Sequence, residues 1–115
     1  MRGIFVGTGR EPFEINFEDT LENLQSLVDG RIEVLSIKTD EKNYRSIDLI
    51  FNEECKFLFN EVNKIIVYST GFMDDLRGNI ICVAADESTG EFTSLTDEEL
   101  AYYLTFLKDD KLFIF

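Results

Sequence analysis

The chain has 115 residues and a formal net charge of −12, from 11 Lys and Arg residues against 23 Asp and Glu residues. This length predicts a single domain over residues 1–115, and a hydrophobic fraction of 44% provides enough apolar side chains for a folded core. The acidic balance argues against direct binding to nucleic acid or to an anionic membrane surface, because both repel negative charge.

The chain contains no histidine, which is the usual base beside a Ser or Cys nucleophile and a common zinc ligand. We therefore predict no catalytic residue, no metal and no cofactor. The two cysteines, Cys55 and Cys82, lie in apolar surroundings and are expected to be reduced core residues. Since neither a signal peptide nor a membrane-spanning run is visible, we expect the protein to be cytoplasmic in the cell where it works.

The N-terminal elements are predicted to be a hairpin followed by a helix. Residues 4–6 and 13–17 are strand-like, and the two glycines and the proline between them favour a connection between paired strands over a phosphate-binding loop. Residues 20–29 place leucines on one helical face. Asp19 and Glu22 fit a capping box before this helix, and Gly30 fits the left-handed position after it.

The middle of the chain is predicted to be a series of short strands. Alternating apolar residues predict an antiparallel pair, 32–37 with 47–51, joined by a polar turn. Two further short strands are predicted at 57–59 and 65–68, and 69–78 has no regular pattern.

The C-terminal part carries the strongest local signals. The apolar run 80–85 predicts a central strand, with a short return strand at 92–94. Thr96 followed by Glu99 is typical of a capping box and predicts a helix that ends near Lys108. We expect the apolar residues 112–115 to form a docked last strand within the domain, with a homodimer contact through this segment as the alternative. Together these elements predict an α+β fold with a mostly antiparallel sheet of about six or seven short strands and two helices.

Acidic residues occur in pairs and triplets, mostly at turns and at a helix start, where solvation alone accounts for many of them. The functional alternative is a surface that imitates the charge of nucleic acid and binds a protein. The candidate partner-binding residues are Asp74, Asp75, Asp86, Glu87, Glu91, Asp97 and Glu98.

A second hypothesis is a small-molecule binder, such as a sponge for a nucleotide signal. Its candidate ligand-binding residues are Asn52, Asn63, Lys64 and Arg77. The net acidity argues against this hypothesis, because a phosphate needs a locally positive site.

Four segments in order resemble a known family. They are the helix–glycine–strand opening over 20–34, the Ile50–Lys56 segment, the glycine-led strand that starts at Gly78, and the helix entry over 92–99. Together they resemble the family described as domain of unknown function 3846, which occurs in phages, plasmids and conjugative elements. Cys55 and the Val62-Asn63-Lys64 segment depart from the family's usual residues.

The resemblance implies a context and no active site, because the family has no established catalytic residues. It implies an accessory protein of a mobile element, in a genetic neighbourhood rich in anti-restriction functions. We therefore expect a non-enzymatic protein that binds and inhibits a host protein in the host cytoplasm, with a defence nuclease as the expected class of partner.

Overall fold

The computed structural model describes residues 1–114, which form nine strands and three helices in an α+β arrangement. This confirms the predicted fold class. In chain order the elements are β1 (Arg2–Val6), β2 (Phe13–Asn16), α1 (Leu21–Val28), β3 (Ile32–Asp40), β4 (Arg45–Asn52), α2 (Cys55–Leu58), β5 (Val62–Tyr68), β6 (Met73–Arg77), β7 (Ile80–Asp86), β8 (Glu91–Thr93), α3 (Asp97–Phe106) and β9 (Lys111–Ile114).

The six-stranded large sheet is antiparallel and has the order β2-β1-β7-β4-β3, with β8 pairing to the end of β7. The predicted hairpin of β1 and β2, the predicted pair of β3 and β4, and the return strand β8 are all present. The predicted central strand is β7, whose first six residues are all buried. Its nearly continuous apolar sequence suits a strand that is covered on both faces.

Two apolar clusters cover the two faces of the large sheet. On one face, Leu24 and Val28 of α1 pack against Ile50 and Ile81. On the other face, a larger cluster joins the large sheet to α3 and to a second sheet. The molecule is therefore layered, with α1 on one side of the large sheet and α3 and the second sheet on the other.

The second, three-stranded sheet has the order β6-β5-β9, and we call it the small sheet. Its last strand, β9, pairs in parallel with β5. Leu112 of β9 is fully buried in the larger core cluster, which confirms that the tail docks within the domain. Phe115, the last residue of the predicted tail strand, lies outside the described residues.

The helix ends differ in how closely they follow the sequence prediction. The capping box of α3 is confirmed, with Thr96 N–H donating to Glu99 Oε1 at 2.8 Å and Glu99 N–H to Thr96 Oγ1 at 3.2 Å. The predicted capping box of Asp19 and Glu22 is wrong, because the N-cap of α1 is Thr20, whose Oγ1 accepts from the N–H of Asn23. The left-handed residue after α1 is Asp29, at φ 63°, and not Gly30.

Three further details correct the sequence prediction. Residues 55–58 form the short helix α2 where a strand was expected at 57–59. The segment that had no regular pattern contains β6, an edge strand. The strands number nine among the described residues, in two sheets, where six or seven in one sheet were expected.

Candidate functional site

Five of the seven candidate acidic residues gather at one end of the large sheet. Asp86 ends β7 and pairs with Glu91 of β8, and Glu87 lies in the turn between them. Asp97 and Glu98 begin α3, whose Glu99 binds Arg45, the register partner of Asp86. We call these five residues the acidic surface. Asp74 and Asp75 lie elsewhere, on the edge strand β6 of the small sheet.

Arg45 links the acidic surface to the start of α3. Its Nε and Nη2 atoms form a two-point contact with the Glu99 carboxylate, at 2.8 and 2.6 Å, and Nη2 also donates to Ser94 O at 3.0 Å. The hydrogen bond from Arg45 lowers the pKa of Glu99, and the same bond raises the pKa of Arg45. The charge of Arg45 therefore balances that of Glu99, and the negative field at this end of the sheet comes from the acidic surface.

Arg2 makes a second connection in the same region. Its Nε and Nη2 atoms donate to Leu95 O at 3.1 and 2.8 Å, and its Nη1 lies 2.8 Å from Asp97 Oδ1. Arg2 of β1 and Arg45 of β4 thus both form hydrogen bonds with the segment that leads into α3. This arrangement fixes the acidic first turn of α3 against the rigid sheet.

A cleft of about 270 Å³ opens between the β3–β4 turn and the β7–β8 hairpin. Asp86 lies in its wall, and its Oδ1 accepts from the Ser88 hydroxyl at 2.6 Å and the Ser88 N–H at 2.9 Å. These hydrogen bonds lower the pKa of Asp86, so this carboxylate stays ionised. The remaining wall residues are Asn43, Tyr44, Arg45, Thr89, Glu91, Phe92 and Thr93.

Tyr44 in this cleft was missed by the sequence reasoning. It is 62% exposed and has a left-handed backbone, with φ 51°. A bulky residue in this conformation is strained by about 1 kcal/mol, and such strain tends to occur where function requires it. The only signal in the sequence was an aromatic residue at the end of a polar turn, where glycine or asparagine is common.

The two remaining acidic candidates, like Asp97 with Arg2, form ion pairs with basic neighbours. Lys56 forms an ion pair with Asp74, and Arg77 Nε lies 2.6 Å from Asp75 Oδ2. The hydrogen bond from Arg77 lowers the pKa of Asp75. These two residues form a mixed-charge region separate from the acidic surface.

Asn52, a candidate for ligand binding, is 2% exposed and satisfies the backbone around the end of α1. Its Nδ2 donates to Val28 O at 3.2 Å and Asp29 O at 3.1 Å, and its Oδ1 accepts from the Glu54 N–H at 2.8 Å. The last carbonyls of a helix have no partner within the helix, so this amide meets a structural need.

Asn63, Lys64 and Arg77 also contact the backbone around them. Asn63 Nδ2 donates to Val6 O at 3.0 Å and Gly78 O at 2.7 Å. Lys64 Nζ donates to Asp109 O at 2.9 Å, and burial lowers the pKa of this amine. Arg77 Nη1 donates to Phe59 O at 3.2 Å. The four candidates for small-molecule binding thus serve different parts of the fold.

Both cysteines and Tyr103 lie in the core. Cys55 and Cys82 are free and buried, as predicted, and burial raises the pKa of Cys82. Burial also raises the pKa of Tyr103 to about 12. Over residues 1–114, no three His, Cys, Asp or Glu side chains converge as metal ligands. In the same part of the chain, the helices are all too short or too polar to cross a membrane.

The sequence profile of a family described as domain of unknown function (DUF3846) matches residues 1–108. The searches of curated proteins and of solved structures found no match.

Proposed function

The chain belongs to the DUF3846 family, and we propose that it is a non-enzymatic accessory protein of a phage or another mobile element that binds and inhibits a host protein. The observation that carries this proposal is the gathering of Asp86, Glu87, Glu91, Asp97 and Glu98 at one end of the large sheet. A defence nuclease is the proposed class of partner. Its nucleic-acid groove carries the positive charge that such a surface complements.

The fixed positions of the acidic residues favour specific binding over a diffuse effect of net charge. Arg2 and Arg45 hold the start of α3 against the large sheet through the contacts at Leu95, Ser94 and Glu99. A preorganised surface loses little conformational entropy when it binds a partner. The exposed ring of Tyr44 adds an aromatic anchor beside the charges, and tyrosine is enriched among residues that dominate binding energy.

The four polar residues of the small-molecule hypothesis already bind backbone atoms of the fold. Three of them, Asn52, Asn63 and Lys64, are at most 6% exposed. Protein binding through the acidic surface therefore has the better support.

The test is capture of a partner from a bacterial host lysate in parallel with a charge-matched control. The test variant is Glu87→Gln/Glu91→Gln/Glu98→Gln, which removes three charges from the acidic surface. The control variant, Glu11→Gln/Glu54→Gln/Glu61→Gln, removes three exposed charges from the opposite end of β7. Both variants have the same net charge.

We expect the wild-type chain and the control variant to retain a basic protein at about 0.1 M salt and to release it at about 1 M salt. The test variant should lose it. The retained protein should also lose its nuclease activity when the wild-type chain is added. Equal retention by both variants, or no retained protein above background at about 0.15 M salt, would contradict the proposal.

A further inference from the structure

The small sheet is covered on one face only. Its inward residues are nearly inaccessible, with Ile66 and Leu112 at 0% exposure and Leu76 at 2%. The alternate residues point to the opposite side, where Met73 is 57% and Phe113 53% exposed. We call this side the outer face. Its centre is formed by Ile65, Val67, Met73, Asp75, Lys111 and Phe113. Arg77 follows Asp75 on the same side of β6 and donates to Asp75 and to Phe59 O.

The register of the small sheet arranges the outer face in two rows across the strands. In the first row, Ile65 of β5 lies between Asp75 of β6 and Lys111 of β9. In the second row, Val67 lies between Met73 and Phe113. The middle strand is therefore apolar in both rows, and opposite charges flank it in the first row.

We propose that the outer face binds the outer face of a second copy of this chain, with a two-fold axis parallel to β5. Rotation about this axis exchanges the positions of β6 and β9. Asp75 then faces Lys111 of the partner subunit, and Met73 faces Phe113 of the partner subunit. Each of these contacts occurs twice, as an interface with two-fold symmetry requires.

The charges of Asp75 and Lys111 favour a two-fold axis parallel to β5 and a second copy of the chain as the binding partner. Sheets stacked face to face are about 10 Å apart, a distance that opposing Asp and Lys side chains bridge. An axis across the strands would instead place the charged row of one copy on the apolar row of the other, which leaves buried charges unpaired. A second copy supplies both charges and both apolar residues in register, and sulfur–aromatic contacts stabilise the second row.

The existing contacts of Asp75 are compatible with this arrangement. Arg77 donates to Asp75 Oδ2, and a carboxylate accepts several donors, so Asp75 keeps this bond when it binds Lys111 of the partner subunit. The acidic surface belongs to the large sheet and α3, so the dimer does not depend on the proposed function.

Two charge reversals provide the test, measured by sedimentation velocity on the full chain over a range of concentrations. The Lys111→Asp variant opposes carboxylates across the interface, and the Asp75→Lys variant opposes amines. For each variant alone, the dissociation constant of the dimer should be at least about tenfold higher than for wild type. An equal mixture of the two should restore dimers, because each copy then meets the opposite charge.

A second pair of variants keeps the test valid if Asp75→Lys disturbs the contact with Arg77. Met73→Glu places a charge in the apolar row and should also weaken the dimer about tenfold. Leu21→Glu, at a residue 54% exposed on α1, makes a similar change on the far side of the large sheet and should leave the dimer intact.

Three results would overturn the proposal. A wild-type chain that stays monomeric up to about 1 mM would show that the outer face has no affinity for itself and is left for a different protein. A dimer that neither charge reversal weakens, or one that Leu21→Glu weakens as much as Met73→Glu, would place the interface elsewhere.

Discussion

The two sheets of this protein differ in how many of their faces are covered. The large sheet is packed by α1 on one side and by α3 and the small sheet on the other, so the side chains of β7 are buried on both faces. The small sheet buries Ile66, Leu76 and Leu112 and leaves its outer face to solvent. The two sheets therefore serve two purposes. The side chains of a sheet covered on both faces stabilise the fold, whereas the uncovered face of the small sheet remains available for binding.

The largest expected effect compares the same substitution in the two sheets. Ile81→Ala removes a fully buried side chain from β7 and should lower the free energy of unfolding by about 2–5 kcal/mol. Ile65→Ala, on the outer face, should cost about 1 kcal/mol, because its side chain is only partly buried. Urea unfolding of both variants measures the difference. Equal losses of unfolding free energy would show that the outer face stabilises the fold as much as the core of the large sheet does.

Deletion of residues 112–115 should have the next largest effect. It removes the buried side chain of Leu112 and the pairing of β9 with β5, and should cost about 2 kcal/mol. The melting temperature of the dilute protein should fall by about 10 °C. Phe113→Ala is the matched control, because it removes an exposed ring and keeps the strand, and should shift melting far less. An unchanged melting temperature after the deletion would mean that β9 adds nothing to the stability of the monomer.

The Glu99→Gln substitution should have a smaller effect that depends on pH. The amide keeps the capping geometry of α3 but loses the charge that binds Arg45. Because the folded-state pKa of Glu99 is lowered, its stabilisation is present above the unfolded value near 4.5 and is lost as pH falls through the folded value. At pH 7 the variant should be about 1 kcal/mol less stable than wild type. Unfolding curves should converge in acid, and a gap independent of pH would exclude this ion pair as the cause.

The smallest expected effect on stability is that of Tyr44→Gly. Glycine relieves the left-handed strain at φ 51° but adds freedom to the unfolded chain, so the two terms should cancel to within about 0.5 kcal/mol. If the ring anchors a partner at the acidic surface, capture of that partner should drop while thermal unfolding stays the same. A loss of more than about 1 kcal/mol would instead assign the ring a structural role.

The sequence predicted those elements whose signals are local. The capping box at Thr96 and the apolar run in β7 each lie within a few residues, and both are confirmed. β6 was missed because Asp74, Asp75 and Arg77 make it read as a polar loop, although an edge strand tolerates such residues. The apolar Phe57 and Leu58 favour a strand, yet the structure places both, exposed, on the four-residue helix α2.

The candidate sites depended on contacts that no local pattern shows. The acidic residues at 86–91 and 97–98 meet because β8 folds back along β7 and because Arg2 and Arg45 hold the start of α3. Asn52 and Asn63 are candidates for ligand binding as polar groups of a small-molecule pocket. Their hydrogen bonds to distant backbone atoms explain them without a ligand.

The pairing of β1 with β7 also determines when this protein can fold during synthesis. The hairpin of β1 and β2 is synthesised before β7, so Val6 has no partner until Ile80, which pairs with it in the register, has been made. At about 5–20 residues per second, the intervening chain takes roughly 4–15 s to make. During that interval the inner edge of β1 has no partner, so nascent chains are most exposed to chaperones and to misassociation before β7 emerges.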